Sequence, residues 1–155
     1  MTFRIHALPA DEFAPLFDLS DDELAARNAT RMTVESMPGY PCRVSMKDAE
    51  IGETVILTNH RHQPANSPYQ SSHAVYIAKG AAQATPEVGE VPEMIRSRLI
   101  SVRMFSDADM IVDGDVLDGD DLGERLTQAF ENEEVAYCHV HFAKRGCFAG
   151  KATRA

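Results

Sequence analysis

The sequence predicts an α+β fold: a single domain over residues 1–155, with a mainly antiparallel sheet of six or seven strands and one late amphipathic helix packed on it. Three observations carry this. Short stretches rich in branched and aromatic residues recur, among them Thr54-Val-Ile-Leu57 and His73-Ala-Val-Tyr-Ile-Ala78, and turn-forming residues separate them. Only one stretch places apolar residues at strong helical spacing, with Leu122, Leu126, Ala129 and Phe130 at i, i+4, i+7 and i+8. No regular alternation of strands with long helices is present, which argues against a parallel sheet built from crossovers.

In chain order, Thr2 to Ala7 sets Phe3, Ile5 and Ala7 against Thr2, Arg4 and His6, the period of a half-buried strand. Pro9 to Phe17 reads as one or two helical turns interrupted by Pro15. Ser20-Asp-Asp-Glu23 is a capping box opening a short helix through Ala26. Arg31 to Glu35 is a strand, and Pro38-Gly-Tyr-Pro41 a turn whose Tyr40–Pro41 bond is a candidate for cis. Cys42 to Ala49 is expected to hold a helical turn ended by Ile51-Gly52. Strands follow at Glu53–His60 and His73–Ala78, with a polar loop between them and a second loop, the segment expected to be most mobile, from Gly80 to Pro92. After a helical turn at Pro92–Arg98, Leu99–Phe105 and Met110–Leu117 form a hairpin across Ser106-Asp-Ala-Asp109. Asp120 or a neighbour caps the amphipathic helix. The chain closes with a strand from Val135 to Ala143, a tight return at Lys144-Arg-Gly146, where Gly146 supplies a backbone angle other residues resist, and a strand from Cys147 to Arg154. The expected core joins the helix stripe to Val55 or Ile56, Val75, Ile77, Val140 and Phe142.

Composition narrows the function classes. With 44% hydrophobic and 25% charged residues, a chain of 155 residues buries roughly two-thirds of its unfolded surface in one core. No apolar run approaches the ~20 residues a membrane span requires, and the N-terminal residues lack the apolar region of a secretory signal, so the expected location is cytoplasmic. A net charge of −9 opposes nucleic acid as a partner. Cations at Lys144, Arg145, Lys151 and Arg154 still suit a small anion. The three cysteines, Cys42, Cys138 and Cys147, are expected as thiols.

Pro38-Gly-Tyr-Pro-Cys-Arg43, Asp48-Ala-Glu-Ile-Gly-Glu53, Ser67-Pro-Tyr69, the strand from His73 to Ile77, His139-Val-His141 and Arg145-Gly-Cys-Phe-Ala149 together resemble the bacterial domain-of-unknown-function family numbered 1203. The resemblance covers nearly the whole chain. It implies a bacterial cytoplasmic protein of one domain, and it carries over neither an activity nor a catalytic residue.

Two His-x-His pairs, His60-Arg-His62 and His139-Val-His141, place two imidazoles on one face of a strand, the spacing of strand-built metal sites. His139 and His141 are the metal candidates, with His73, Cys147 or an acidic residue as a third ligand. His60 and His62 fall at a strand end and are expected to face water, so no four-histidine site is anticipated. Cys147 follows Lys144-Arg145-Gly146, and with His139 or His141 across the hairpin it is a candidate nucleophile. A buried apolar role competes with that assignment. Arg43, Tyr69, Arg103 and Arg145 are candidates for binding a carboxylate or phosphate. An ion pair to a carboxylate is the competing role for Arg103. The acidic run from Asp107 to Asp121 fails as a calcium loop, because Leu117 and Asp118 stand where an oxygen ligand and a glycine belong. Gly146 to Thr153 fails as a phosphate loop, since three residues, not four, separate its glycines.

Two functions follow. The first is a non-catalytic domain that binds a small polar or anionic ligand in a pocket lined by His, Arg and Tyr. The second is a small enzyme using a histidine-bound metal or a Cys147–His pair. The missing catalytic signature favours the first.

Overall fold

The computed structural model describes residues 2–155. Phe3–His6 (β1) buries Phe3 and Ile5 and exposes Arg4 and His6, as the sequence period requires. Ala10–Phe13 (α1) runs into a 3-10 turn at Ala14–Asp18, where Pro15 sits in the first positions and costs no helical hydrogen bond. Asp21–Ala25 (α2) opens on the capping box: Glu23 N–H donates to Ser20 Oγ at 3.1 Å, and Ser20 N–H to Glu23 Oε1 at 3.3 Å. Ala29–Thr33 (β2), Pro41–Cys42 (β3), Lys47–Asp48 (β4), Thr54–Gln63 (β5) and Ser71–Ala78 (β6) follow. After Glu93–Arg96 (α3) come Leu99–Phe105 (β7), Ile111–Asp118 (β8), Leu122–Ala129 (α4), Tyr137–Phe142 (β9) and Phe148–Arg154 (β10).

The strands make two five-stranded sheets, ordered β1-β10-β9-β7-β8 and β2-β5-β6-β3-β4. Every pairing is antiparallel except β3 with β6. The α+β class holds, but a single sheet of six or seven strands does not, and among the described residues three shorter α-helices stand beside the late amphipathic one. The reason is length. β3 and β4 are two residues each, too short to display any period, so Cys42–Ala49 reads as a helical turn where it is a tight hairpin.

The core divides with the sheets. Leu122, Leu126, Ala129 and Phe130 are all buried, and they pack with Val102, Cys138, Val140 and Phe142 on the first sheet. Val55, Val75 and Ile77 lie in a second cluster with Phe13, Val34 and Cys42, and Ile56 in a third with Leu24 and Ala29. A sheet has two faces, and Val55 and Ile56 point through opposite ones. No acidic side chain caps α4: Asp121 holds the N-cap position without accepting a hydrogen bond. The cis peptide bond is Met37–Pro38, not Tyr40–Pro41. The loop before α3 is tied down at two points, by Ala84 N–H to Val44 O at 2.8 Å and Gly89 N–H to Phe3 O at 2.8 Å. Among the described residues no helix is long and apolar enough to cross a membrane.

Candidate functional site

Alternation along β9 sends Cys138, Val140 and Phe142 into the α4 core, so Tyr137, His139 and His141 must leave through the other face. That face is not open to water. The second sheet lies over it, and its longest strand, β5, continues past His60 to Gln63 where the sequence predicts a loop. Between His60 and Gln63 the register with β6 slips: His60 pairs with His73 and Gln63 with Ser71, leaving two residues of β5 opposite one of β6. Such a bulge re-aims a side chain. Here it turns His62 inward against His139 and His141.

One ring nitrogen from each of His62, His139 and His141 lies within 4.8 Å of the other two. The ring centroids are 4.9 Å apart for His62–His141, 5.9 Å for His62–His139 and 6.3 Å for His139–His141. All three residues are at least nine-tenths buried, with exposures of 9%, 3% and 1%. His141 Nδ1 lies 2.9 Å from the Gly146 carbonyl, which can only accept, so that nitrogen carries the proton and Nε2 is left with a lone pair. His141 Nε2, His62 Nδ1 and His139 Nδ1 are buried without a hydrogen-bond partner. Burial lowers the pKa of His62 to about 4 and of His139 and His141 to about 3, helped by neighbouring Arg103. All three are therefore neutral imidazoles at physiological pH, the form that binds metal.

Phe148 closes one side of this cluster. Its ring stacks on His62 at 5.1 Å and meets His139 edge-on at 5.3 Å. On another side lies a cavity of about 270 Å³, lined by His62, His139, Gln63, Tyr69, Ser71 and Arg103 among others. Arg103 pairs in register with His139 and projects from the same sheet face. Its guanidinium is half-buried, and burial alone lowers its pKa. Arg103 makes no ion pair or side-chain hydrogen bond among the described residues, so the carboxylate partner that competes with a ligand role is not there. Tyr137 lies on the same face, donating to Asp109 at 2.6 Å and accepting from Gln63 Nε2 at 2.9 Å, a contact that joins the two sheets.

The chain belongs to the DUF1203 family. The sequence pattern of that family, described as protein of unknown function, matches residues 39–154, which include all three clustered histidines and Arg103. No curated protein and no solved structure matches the chain.

Other candidate residues of this DUF1203 chain lie apart. Cys147 precedes Phe148, which shares the histidine face, so it projects the opposite way and packs beside the α4 core. It does not join the imidazole cluster, and its charged neighbour is Arg43. Arg43, 1% exposed, is committed internally: its Nε donates to Phe148 O at 2.7 Å and its guanidinium covers the Phe142 ring at 4.9 Å. Its side chain is closed to solvent. Arg145 is exposed in the β9–β10 turn, away from the cavity lining. His73 accepts its neighbour's amide, Ala74 N–H to Nδ1 at 3.0 Å, and does not supply the third imidazole. His60 turns to Phe13 and Glu12, so four imidazoles do not converge. The residue of the imidazole cluster that sequence reasoning left out is His62. Its signal was the second His-x-His pair, but the bulge that aims it inward has no sequence mark.

Proposed function

We propose that this single-domain protein binds a small polar or anionic ligand in the cavity beside His139, with Arg103 as the recognising cation. One observation carries the reading: a half-buried guanidinium that faces a cavity and has no internal partner. A buried charge without a counter-charge is costly, and natural proteins keep one mainly where a ligand completes it. A volume of about 270 Å³ lies at the small end of ligand pockets, which suits an inorganic oxyanion or a carboxylate of a few carbons. Gln63, Tyr69, Gln70 and Ser71 supply neutral hydrogen-bonding groups around that cation. The three free thiols support a reducing, cytoplasmic setting. A Cys147–His nucleophile gains no support, because the thiol and the imidazoles leave the hairpin by opposite faces.

The test is calorimetric titration of chelator-treated protein with phosphate, acetate and succinate, repeated on Arg103→Gln. Binding of at least one probe, weakened about 10- to 100-fold by the substitution, is expected from the loss of charged hydrogen bonds worth roughly 1.5–3 kcal/mol. Equal binding by wild type and Arg103→Gln, or no binding of any probe, would overturn the reading.

A further inference from the structure

We propose that His62, His139 and His141 form a three-imidazole site for one divalent transition-metal ion, with its open coordination position facing the Arg103 cavity. The ion's binding stands apart from the anion reading given above. That the anion then coordinates the ion rests on it.

The first support is the orphaned nitrogens. Three polar atoms buried in one place without partners would each cost about 1–3 kcal/mol if nothing met them. They belong to three different side chains brought from two sheets, so no single strained residue explains them. One ring nitrogen from each of the same three side chains lies within 4.8 Å of the other two, so one ion can draw on all three residues.

Geometry is the second. Around a tetrahedral ion with metal–nitrogen distances of about 2.1 Å, imidazole centroids lie roughly 5.3 Å apart. The observed 4.9, 5.9 and 6.3 Å bracket that value. The Gly146 carbonyl acts as outer-shell partner to His141, fixing the tautomer that frees Nε2. Its place is set by the turn, since Gly146 sits at φ 79°.

Donor chemistry narrows the ion. Three neutral nitrogens with no carboxylate or thiolate suit zinc, iron, cobalt, nickel or copper, and exclude magnesium and calcium, which take oxygen ligands. Neutral donors leave the full charge of the ion in place. With Phe148 stacked on one side, the remaining position opens toward the cavity that His62 and His139 also line. Three protein ligands and one open position are the pattern of a site that acts on a bound molecule, not one that merely holds a fold together. The ion and Arg103 would then grip one oxyanion from two sides, the ion polarising its oxygen.

Tag-free protein stripped with chelator and titrated with Co²⁺ and Zn²⁺ tests this. One ion per chain is expected, with intense visible Co²⁺ absorption of low coordination number. His62→Gln and His139→Gln should each weaken binding by more than about 100-fold, beyond the loss typical of outer-shell changes. Because His141→Gln risks the fold, His62→Gln, beside the cavity, is the deciding variant, with circular dichroism confirming its fold. Arg103→Gln should keep the ion. Succinate or phosphate should shift the Co²⁺ spectrum of wild type and not of Arg103→Gln. Failure to bind either ion, or binding that His62→Gln and His139→Gln leave unchanged, overturns the metal site. Arg103-dependent anion binding can survive that result. A bound ion whose spectrum no anion shifts overturns only the shared grip.

Discussion

Arg103 and His139 stand directly opposite one another across the β7–β9 ladder, an antiparallel pair that sets a guanidinium beside an imidazole on one buried face. Among the described residues neither forms an ion pair with a carboxylate, and burial disfavours the charged form of both. The pair is poorly arranged for stability and well arranged for a ligand. Such sites trade stability for binding. Arg103→Met keeps much of the aliphatic stem and removes the charge, so in metal-free protein it should leave the melting temperature unchanged or raise it. A clear drop on differential scanning calorimetry would mean that the guanidinium supports the fold.

Acid should unfold the metal-free protein through the clustered histidines. Their folded pKa values, about 4 for His62 and about 3 for His139 and His141, lie below the ordinary value of 6.5, so between those limits the unfolded chain binds more protons. Their contribution is complete above pH 6.5 and is lost as pH falls toward 3–4. Each imidazole adds up to about 1.4 kcal/mol of loss per pH unit in that window. Urea denaturation at several pH values should show the decline, and His139→Gln should flatten it by one proton.

The three thiols should separate by access. Cys42 and Cys138 are both 0% exposed, and burial pushes the Cys138 pKa up to about 12, whereas Cys147 is partly exposed at the β9–β10 return. Native protein treated with iodoacetamide should be alkylated at Cys147 alone, and all three should react in denaturant. Mass spectrometry of the digested protein decides it, and modification of Cys138 before Cys147 would contradict the packing.

Asp48 and Arg98 tie the sheets together. Arg98, just before β7, donates from Nη1 to Asp48 Oδ2 at 3.0 Å and from Nη2 to Asp48 Oδ1 at 2.5 Å, with side chains 21% and 13% exposed. A bidentate pair this far from solvent exceeds the usual surface bridge, although the remaining exposure screens part of it. Asp48→Asn should cost about 1–3 kcal/mol in chemical denaturation, because it leaves partly buried donors of Arg98 without their charged acceptor.

What the sequence could and could not say follows from the range of each signal. The α4 stripe, the Ser20 capping box and the alternation of β9 are local patterns, and the fold keeps all three. His139 and His141 were visible as a pair for the same reason. The second sheet was not, because its pairings β3–β4 and β3–β6 rest on two-residue strands and one parallel contact. Without that sheet there was nothing to cover the histidine face, so His62 read as a solvent-facing strand end. Arg43 misled differently: its burial against Phe142 and Phe148 O is a long-range arrangement that no neighbouring residue announces.

Gly146 links turn geometry to the metal site, and its replacement separates the two. Its φ of 79° lies in the left-handed region, where an alanine side chain costs about 1 kcal/mol or somewhat more. Space is not the obstacle, since an added Cβ would meet only His73 Nε2, at an ordinary 3.9 Å. Gly146→Ala should therefore fold, with a modest fall in stability. Its larger effect should be on Co²⁺ affinity, because relaxing the turn shifts the carbonyl that holds His141 Nδ1 at 2.9 Å. Loss of an outer-shell contact of this kind weakens metal binding by about 10- to 100-fold. Gly146→Asn is the control, as asparagine tolerates left-handed backbone better than alanine and should recover part of both losses. Calorimetric titration beside thermal unfolding reads the two effects separately. An affinity unchanged in Gly146→Ala despite lowered stability would show that the carbonyl does not orient the ligand.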